Sequence, residues 1–566
     1  MKNEEIAKLL FEIGDLLEIE NIPFKPKAYQ EAAISIDNLD RDIEEIYKDE
    51  GLKGIESISK VGKNIALKIE EYLKTGKLKY YKELKKRNPV DIETFLKIEG
   101  LGHKRIKVLY QELGIRNLDQ LKEAIEKNKL EDLYGFGKIT QNNILQGIDF
   151  LEKHHGRVLM SEVEEDVNRI FELLKKQKEV SMIEVAGSFR RRKETIGDID
   201  ILVASSFPKK IMNIFTTMDE VEKVWGSGLT KSSIRLKKGF DVDLRIVSEK
   251  SFGAALQYFT GSKAHNVHLR KIAIKKGYKL NEYGLYEDDR CIASKTEKEI
   301  YNKLGMEYIP SELRENRGEI DLAILNKLPK LIELQDIKGD LHCHSNWSDG
   351  VYPIEEIVLK AISLDYKYIG ISDHTRHIVN GLTEDDLLNQ AKEIKKLNKK
   401  YEGKIKILHG AEVNILDNGE LDIKNSVLKK LDYVAVGIHS KFKMDQTKRI
   451  LKALENPYVT FLVHPTGRII NKRESYKVDL DAIFNYAKGK NIYLEINASS
   501  RMDLNEVDIK RAKKIGCKFV INTDAHQLVH FDRIKYGVYQ ARRGWLSKKD
   551  VINTKNYGEI IRSNSL

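Results

Sequence analysis

Residues 185–203, VAGSFRRRKETIGDIDILV, put a Gly187-Ser188 turn between two apolar runs and set two carboxylates, Asp198 and Asp200, on the second run. Side chains alternate faces along an extended strand, so Asp198 and Asp200 project together while Ile199 and Ile201 turn toward a core. Transfer of a nucleotide uses such a cluster, because two divalent ions about 3.5–4 Å apart stabilise the attacking and the leaving oxygen together. A third carboxylate is then expected on a neighbouring strand. The stretch FDVDLRIV, residues 240–247, offers Asp243 within an apolar alternation, with Asp241 two positions earlier on the same face. The Gly187-Ser188 turn supplies backbone N–H groups and a hydroxyl for a triphosphate, and Arg190, Arg191, Arg192 and Lys193 add positive charge beside it.

These residues resemble the palm of family X DNA polymerases, the polymerase beta group, whose pattern is a GSFRRG-like turn, a GD-x-D strand and a later lone Asp. The resemblance continues through YFTGSKAHNVHLR, residues 258–270, and GYKLNEYGLY, residues 277–286. It implies a DNA-directed DNA polymerase in which Asp198, Asp200 and Asp243 are catalytic and hold two Mg²⁺ or Mn²⁺ ions. Gly187, Ser188, Arg191 and Gly197 would then meet the incoming dNTP at its phosphates, and Tyr258, Phe259 and Gly261 at its sugar and base. Asn266 would contact the base edge in the minor groove, and Arg270 would approach the template strand. Lys193, where the group often has a small residue, and Lys263, where some relatives have an acidic one, depart from the pattern.

The first 150 residues read as helices broken by short glycine turns: ISKVGKNIALKI (58–69), FLKIEGLGHKRIKVL (95–109) and LYGFGKITQNNIL (133–145). In each, an apolar residue precedes a glycine that opens a new helix, so the free N–H groups of the helix start can hold a phosphate. They resemble helix-hairpin-helix modules, which grip the DNA backbone without reading sequence. The glycines assigned to DNA are Gly62, Gly100, Gly102, Gly135 and Gly137; the first module carries Lys60 where the earlier glycine would be. By resemblance Lys68 matches the Schiff-base lysine of family members that remove a 5′ deoxyribose phosphate, with Lys25 and Tyr29 as neighbours in that phosphate pocket.

From Asp336 onward the pattern changes. Nine of the 14 His lie there, and they stand where apolar runs stop. Seven strand-like segments, KGDLHCH, YIGISDH, KIKILHGAEV, LDYVAVGIH, VTFLVH, NIYLEIN and CKFVINTDAH, alternate with helical stretches, which predicts a (β/α) barrel with its chemistry at the C-terminal ends of the strands. His342, His344, Asp349, His374, Glu412, His439, His464, Asp524 and His526 form a nitrogen and oxygen donor set that suits Zn²⁺, Mn²⁺ or Fe²⁺. HCH, SDH, AEVN, IHS, HPTGR and TDAH together resemble the PHP (polymerase and histidinol phosphatase) domain over residues 336–566. The resemblance implies three metals: one on His342, His344, Glu412 and Asp524, one on Glu412, His439 and His464, and one on Asp349, His374 and His526, with Glu412 bridging. It also implies water attack on a phosphate ester, a 3′-5′ exonuclease activity, with Arg468 a candidate phosphate clamp. His377, His409 and His530 fall outside the pattern.

At 566 residues the chain is too long for one core. The fold class expected is multidomain, α+β and α/β: a helical DNA-end-binding region at 1–82, helix-hairpin-helix fingers at 83–150, a nucleotidyltransferase palm at 151–250, a thumb at 251–316, a linker at 317–335, and an irregular (β/α)7 PHP barrel at 336–566. Three widely spaced Cys argue against a disulfide framework. There is no apolar run of about 18 residues to span a bilayer, and MKNEEIAKLLFEIGDLLE reads as an acidic amphipathic helix rather than a signal peptide. A cytoplasmic monomer is expected. The net charge of +11 suits a polyanion, yet the first 335 residues carry 59 Lys and Arg against 57 Asp and Glu. DNA contact must therefore rest on local clusters and backbone groups rather than bulk charge. The expected partners are gapped or nicked duplex DNA and dNTPs, in base-excision repair. Two other readings remain: a small-molecule or RNA nucleotidyltransferase joined to a phosphoesterase, against which the hairpins count, and a DNA-end scaffold with idle sites, against which the intact carboxylates count.

Overall fold

The computed structural model describes residues 2–561 apart from Asn21, Asn38, Asp40, Lys97, Glu99, Gly100, Glu131, Asp132, Tyr134, Gly135, Lys138, Ile139, Asn142, Asn143, Gln146, Gly147, residues 149–156 and Val379. Gly100 and Gly135 thus lie outside the described residues. The chain divides into two compact units, Met1–Gly156 and Arg157–Leu566.

The first unit is helical, with a core that includes Ile6, Leu10, Ile13, Ala32, Ile36, Ile55, Ala66 and Phe95. Its glycine turns repeat one device. In Ile58–Val61, Ile98–Leu101 and Leu133–Phe136 the second apolar residue donates its N–H to the carbonyl of the first at 3.0, 3.1 and 3.1 Å, and Val61, Leu101 and Phe136 are buried. Gly62 and Gly102 then cap the helices Lys63–Thr75 and His103–Leu113 with no side-chain cap. A methyl group added at Gly62, Gly102 or Gly137 would meet nothing within 4 Å, and Gly62 and Gly102 have ordinary negative φ. Nothing within the chain therefore crowds a side chain out of these positions. Lys60 takes φ +66°, so the first module makes its turn by forcing a side-chain residue into the left-handed region.

The second unit has the helix Met160–Lys175 near its start and contains a five-stranded sheet built from β1 (Met182–Val185), β2 (Asp198–Ala204), β3 (Val221–Ser227), β4 (Lys231–Leu236) and β5 (Asp241–Val247), in the order β1-β2-β5-β4-β3. β2 and β5 run parallel, with Asp198 opposite Asp241 and Asp200 opposite Asp243. The apolar partners of that alternation, Ile199, Ile201, Val242 and Leu244, are buried. The helices Phe252–Thr260 and Lys263–Lys275 follow, then a small antiparallel sheet spanning residues 278–293. Within 317–335, expected as a linker, lies the helix Glu319–Ile324, whose Ile320 and Ala323 are buried in the same core as Leu269, Leu285 and Tyr301.

The strands of residues 339–522 are short, parallel and largely buried on both faces, as expected where helices cover a sheet. They are β6 (Gly339–Asp340), β7 (Tyr368–Ile371), β8 (Lys406–His409), β9 (Glu412–Asn414), β10 (Ala435–Gly437), β11 (Phe461–Leu462), β12 (Tyr493–Asn497) and β13 (Phe519–Asn522). They pair as β6-β7-β8 and β9-β10-β11-β12-β13. Parallel bridges at His374–Glu412 and Cys343–Ala525 link the two sheets into a ring. The segment expected as one strand, KIKILHGAEV, is two, because Gly410-Ala411 lets the chain step from β8 to β9 and present Glu412 to the ring interior. A side chain at Gly410 would strike the Tyr433 ring at 2.2 Å.

Candidate active sites

The register of β2 against β5 brings Asp198, Asp200 and Asp243 to one face at one end of the first sheet. Burial, and then repulsion from Asp198 and Asp243, push the Asp200 carboxyl up to about 7. Burial and Asp243 raise Asp198 as well. Anionic groups crowded this way are stabilised by cations. Around them Ser233 Oγ donates to Asp243 Oδ1 at 2.5 Å, and Lys231 Nζ lies 3.0 Å from Asp243 Oδ2. Asp241 is engaged otherwise: Arg235 grips it through two N–H groups at 2.9 Å, and Trp225 Nε1 donates to it at 2.9 Å.

Gly187 opens the turn at φ +58°. A Cβ there would lie 2.0 Å from Asp200 Oδ2, so only glycine lets the turn close over the carboxylate. Ser188 Oγ is buried and has no hydrogen bond, as a hydroxyl reserved for a ligand would be. The arginine run is largely committed to neighbouring elements. Arg190 forms a two-pronged pair with Glu297 at 2.8 and 2.7 Å. Arg191 donates to Glu315 at 3.0 Å and to the Thr260 carbonyl at 2.6 Å. Arg192 stacks 4.3 Å from the Tyr539 ring. A cation that sequence reasoning missed, Arg157, is held by Thr195 with its Nη1 3.0 Å from where a Cβ on Gly197 would sit, and its charge favours ionised Asp198. A lone Arg outside any motif gave no signal.

Of the residues assigned to sugar and base, Tyr258 and Phe259 meet edge to face at 5.1 Å, and Gly261 caps their helix. Asn266 has its carboxamide fixed from both ends, donating to the Tyr258 carbonyl at 2.7 Å and accepting from Gln257 Nε2 at 2.8 Å. Arg270 lies on the following helix, Lys263–Lys275.

The second centre sits at the strand ends of the ring. Glu412 is at its middle: Oε2 lies 3.2 Å from His342 Nε2, 3.5 Å from His344 Nε2 and 3.0 Å from His374 Nδ1, while Oε1 lies 2.9 Å from His439 Nε2 and 2.8 Å from His464 Nε2. Asp524 Oδ1 stands 3.6 and 3.4 Å from His342 and His344. Asp349 Oδ2 stands 3.6 and 3.2 Å from His374 and His526. Donor atoms on one tetrahedral ion at 2.0–2.2 Å are about 3.3–3.6 Å apart, which matches the spacings of Asp524 from His342 and His344 and of Asp349 from His374. Ring nitrogens of His342, His344, His374 and His464, and Glu412 Oε2, are buried without hydrogen bonds. The donor set therefore fits metal ions. Among the described residues three groupings have donor atoms within 4.8 Å of one another: His344, Asp349, His374 and His526; His342, His344 and Asp524; and His374, Glu412 and His439. Two ligand positions, His464 at φ +30° and Asp524 at φ +54°, are in the left-handed region, the kind of local strain that collects at functional sites.

Glu495 was not anticipated. It accepts from Asn497 and Asn522 at 3.0 Å, fixes His342 Nδ1 at 2.7 Å and receives the His464 backbone N–H at 2.8 Å. An acid inside an apolar strand gave no sign of which ligands it orients. Arg468, expected as a phosphate clamp, instead pairs with Glu194 at 2.6 Å and with the Met502 carbonyl. Arg501 lies at the metal-ligand cluster, with Nε 3.4 Å from Asp524 Oδ2 and Nη1 buried and unbonded. His409 and His377 are bonded to Gln390 and Asp422, and His530 Nδ1 accepts the His526 N–H.

In the first unit, Lys68 Nζ lies 4.8 Å from the Tyr80 ring and 6.0 Å from the Tyr29 ring, bonded to the Asn64 carbonyl at 3.1 Å. Burial, then the Lys25 charge, lower its pKa.

Family profiles match in the same order as these elements: a helix-hairpin-helix domain at residues 1–78, the DNA polymerase beta palm at 157–238, the DNA polymerase beta thumb at 255–315 and the PHP domain at 340–499. The chain is 36% identical over 578 aligned positions to the DNA polymerase/3′-5′ exonuclease PolX of Bacillus subtilis (strain 168), covering 99% of each chain. The chain belongs to the PolX family. The chain is also similar to probable phosphatases, 33% identical over 175 residues to one from Thermoanaerobacter sp. (strain X514), covering 28% of this chain and 69% of that protein. One from Clostridium acetobutylicum is 30% identical over 213 residues, covering 35% and 83%. Among the described residues no helix is long and apolar enough to cross a membrane.

Proposed function

We propose that this protein is a DNA-directed DNA polymerase that fills short gaps in base-excision repair and trims the 3′ end at a separate metal-dependent nuclease centre. The carrying observation is the β2–β5 register, which gathers three carboxylates at one sheet end with Gly187 closed against Asp200. Asp198 and Asp200 would hold two Mg²⁺ or Mn²⁺ ions, and Asp243 the one nearer the primer 3′-hydroxyl. When bound, such ions ease deprotonation of the hydroxyl and stabilise charge on the transferred phosphoryl group. Ser188 Oγ, the backbone at Gly187 and Gly197, and Arg157 receive the triphosphate of the dNTP. Arg191 reaches it only by exchanging Glu315. Tyr258, Phe259, Gly261 and the prefixed Asn266 orient sugar and base, and Arg270 faces the template. The glycines at 62, 100, 102, 135 and 137 grip phosphates of gapped or nicked duplex.

At the PHP centre the nine donors would hold up to three Zn²⁺, Mn²⁺ or Fe²⁺ ions, which supply an activated water for hydrolysis. Glu495 keeps His342 and His464 oriented, and Arg501 draws the scissile phosphate in. The domain bounds given above, a monomeric state and a cytoplasmic location belong to the same reading. Lys68, with its lowered pKa, supports a 5′-deoxyribose phosphate lyase step in which its amine forms an imine with the sugar aldehyde, releasing water. Borohydride trapping undiminished in Lys68→Ala would remove that role.

Extension and degradation of one labelled primer on gapped DNA test the whole reading. Template-directed addition with dNTPs and 3′ shortening without them are expected. A chain that hydrolyses phosphate esters but adds no nucleotide to DNA would instead fit a small-molecule nucleotidyltransferase joined to a phosphoesterase.

A further inference from the structure

The edge strand β3 is unusual for its setting. After Val221 every residue to Ser227 is exposed, and Trp225 is 44% exposed. The pairing of β3 with β4 slips between Val224 and Gly226, which leaves Trp225 as an extra residue in a bulge. A bulge re-aims the side chain it carries. Here it turns the indole onto the carboxylate face of the sheet, where Nε1 donates to Asp241 at 2.9 Å. Lys223 Nζ stands 3.9 Å over the ring, and Arg235, which neutralises Asp241, lies 5.1 Å from its centroid.

An exposed indole could be covered by any apolar surface, but this one is dressed with two cations and shares a face with Asp198, Asp200 and Asp243. β3 is two strands from β5, about 10 Å at roughly 4.8 Å per strand. Nucleotides stack about 3.4 Å apart along a strand. A primer whose 3′-hydroxyl reaches Asp243 therefore brings its next two or three nucleotides within reach of the indole. The acid that would repel their phosphates, Asp241, is already held by Arg235 and Trp225, which leaves Lys223 to meet them.

We propose that Trp225 is a DNA-contacting residue: its ring packs on the sugar and base edge of the primer strand two to three nucleotides behind the 3′ end, with Lys223 on the adjoining phosphate. This rests on the polymerase reading. Aromatic contacts with nucleic acid are sequence-tolerant, as a gap filler requires.

The test uses the full chain, gapped DNA and single-nucleotide addition. Trp225→Ala should raise the Kd and KM for primer-template about tenfold, with kcat at saturating DNA and KM for dNTP within about threefold of the parent. Trp225→Phe, which keeps a ring but loses the bond to Asp241, should recover most of the affinity. Lys223→Ala should lower the slope of log Kd against log salt by about one, whereas Trp225→Ala should leave it unchanged. Gapped DNA should also protect a fraction of the tryptophan fluorescence from acrylamide, and that fraction should vanish in Trp225→Phe. Equal primer affinity in Trp225→Ala with unprotected fluorescence would overturn the inference. So would a concentration-dependent dimer that Trp225→Ala abolishes while primer affinity stays put, since the indole would then cover a second copy of the chain. Equal loss in Trp225→Phe and Trp225→Ala would mean the indole acts only by holding Asp241. If the parent chain extends no primer, the polymerase reading falls first; if it extends normally and Trp225→Ala matches it, only this inference falls.

Discussion

Gly187→Ala is the smallest change that separates the two centres. A Cβ at this position would lie 2.0 Å from Asp200 Oδ2, and real Cβ atoms essentially never come within 3.0 Å of another heavy atom, so carboxylate and turn must part by at least about 1 Å. The backbone is also at φ +58°, which costs an alanine on the order of 1–2 kcal/mol. Relaxation by moving the turn carries Ser188 off its place; relaxation by moving Asp200 carries away a carboxylate that should hold both ions. A misplacement of 1 Å at a reacting centre costs on the order of 10²-fold. Single-nucleotide addition on gapped DNA should therefore fall about a hundredfold in kcat/KM, while 3′-5′ degradation of the same primer, measured without dNTPs, should stay within about twofold. A Gly187→Ala protein that extends within about threefold of the parent rate would refute the reasoning, because it would mean that the turn and Asp200 are not in contact in the working enzyme.

Asp243→Ala should abolish extension and spare degradation, read from the same labelled primer. Glu412→Gln should lose bound metal, counted by mass spectrometry, together with nuclease activity, because both carboxylate oxygens face imidazoles; extension should survive. Glu495→Gln should cost about 10–100-fold in nuclease activity or metal affinity, the usual loss for an outer hydrogen-bond partner of a ligand, again with extension intact. Lys60→Gly relieves a left-handed side-chain residue whose ion pair with Glu31 is exposed. It should stabilise the first unit by up to about 1 kcal/mol, seen as a higher Tm for its transition in calorimetry of the full chain.

How far the sequence could be read follows from the range of the interaction concerned. Asp198 and Asp200 were legible because a strand's period of two forces residues two apart onto one face, whatever the rest of the chain does; Asp243 was legible as a carboxylate in a second apolar alternation, and the parallel register sets it beside Asp200. The PHP donors other than Asp349 were legible because each stands at or just beyond an apolar run, and the ends of parallel strands converge; Asp349 lies in the polar turn that follows the first of them. The break at Gly410-Ala411 was not, since the need for glycine there comes from the Tyr433 ring, which lies 23 positions away. Nor was the role of Arg157, which depends on Thr195, thirty-eight positions away. Glu495 was hidden for the opposite reason: it sits within the apolar run NIYLEIN, and only the folded ring shows its oxygens divided between His342 and the His464 backbone.

The arginine run of the first motif carries the largest lesson in this respect. A row of cations beside a triphosphate turn reads naturally as phosphate-binding charge, but a guanidinium goes wherever a fixed carboxylate matches its fork. Arg190 meets Glu297, and Arg191 shares Glu315 with Arg543, whose side chain is 1% exposed. Arg543 also donates to the Arg191 carbonyl at 2.6 Å and to Glu506 at 2.9 Å, while Glu194 is held by both Arg468 and Gln540. Such buried pairs add little stability compared with apolar packing, yet losing one partner strands a charge out of water. Arg543 with Glu315 and the Arg191 carbonyl, and Arg468 and Gln540 with Glu194, join residues 191–315 to the PHP part of the same unit. Residues 157–566 form one compact unit, and in the proposed reading the triphosphate falls to groups outside these pairs, such as Ser188 Oγ, which is buried and makes no hydrogen bond.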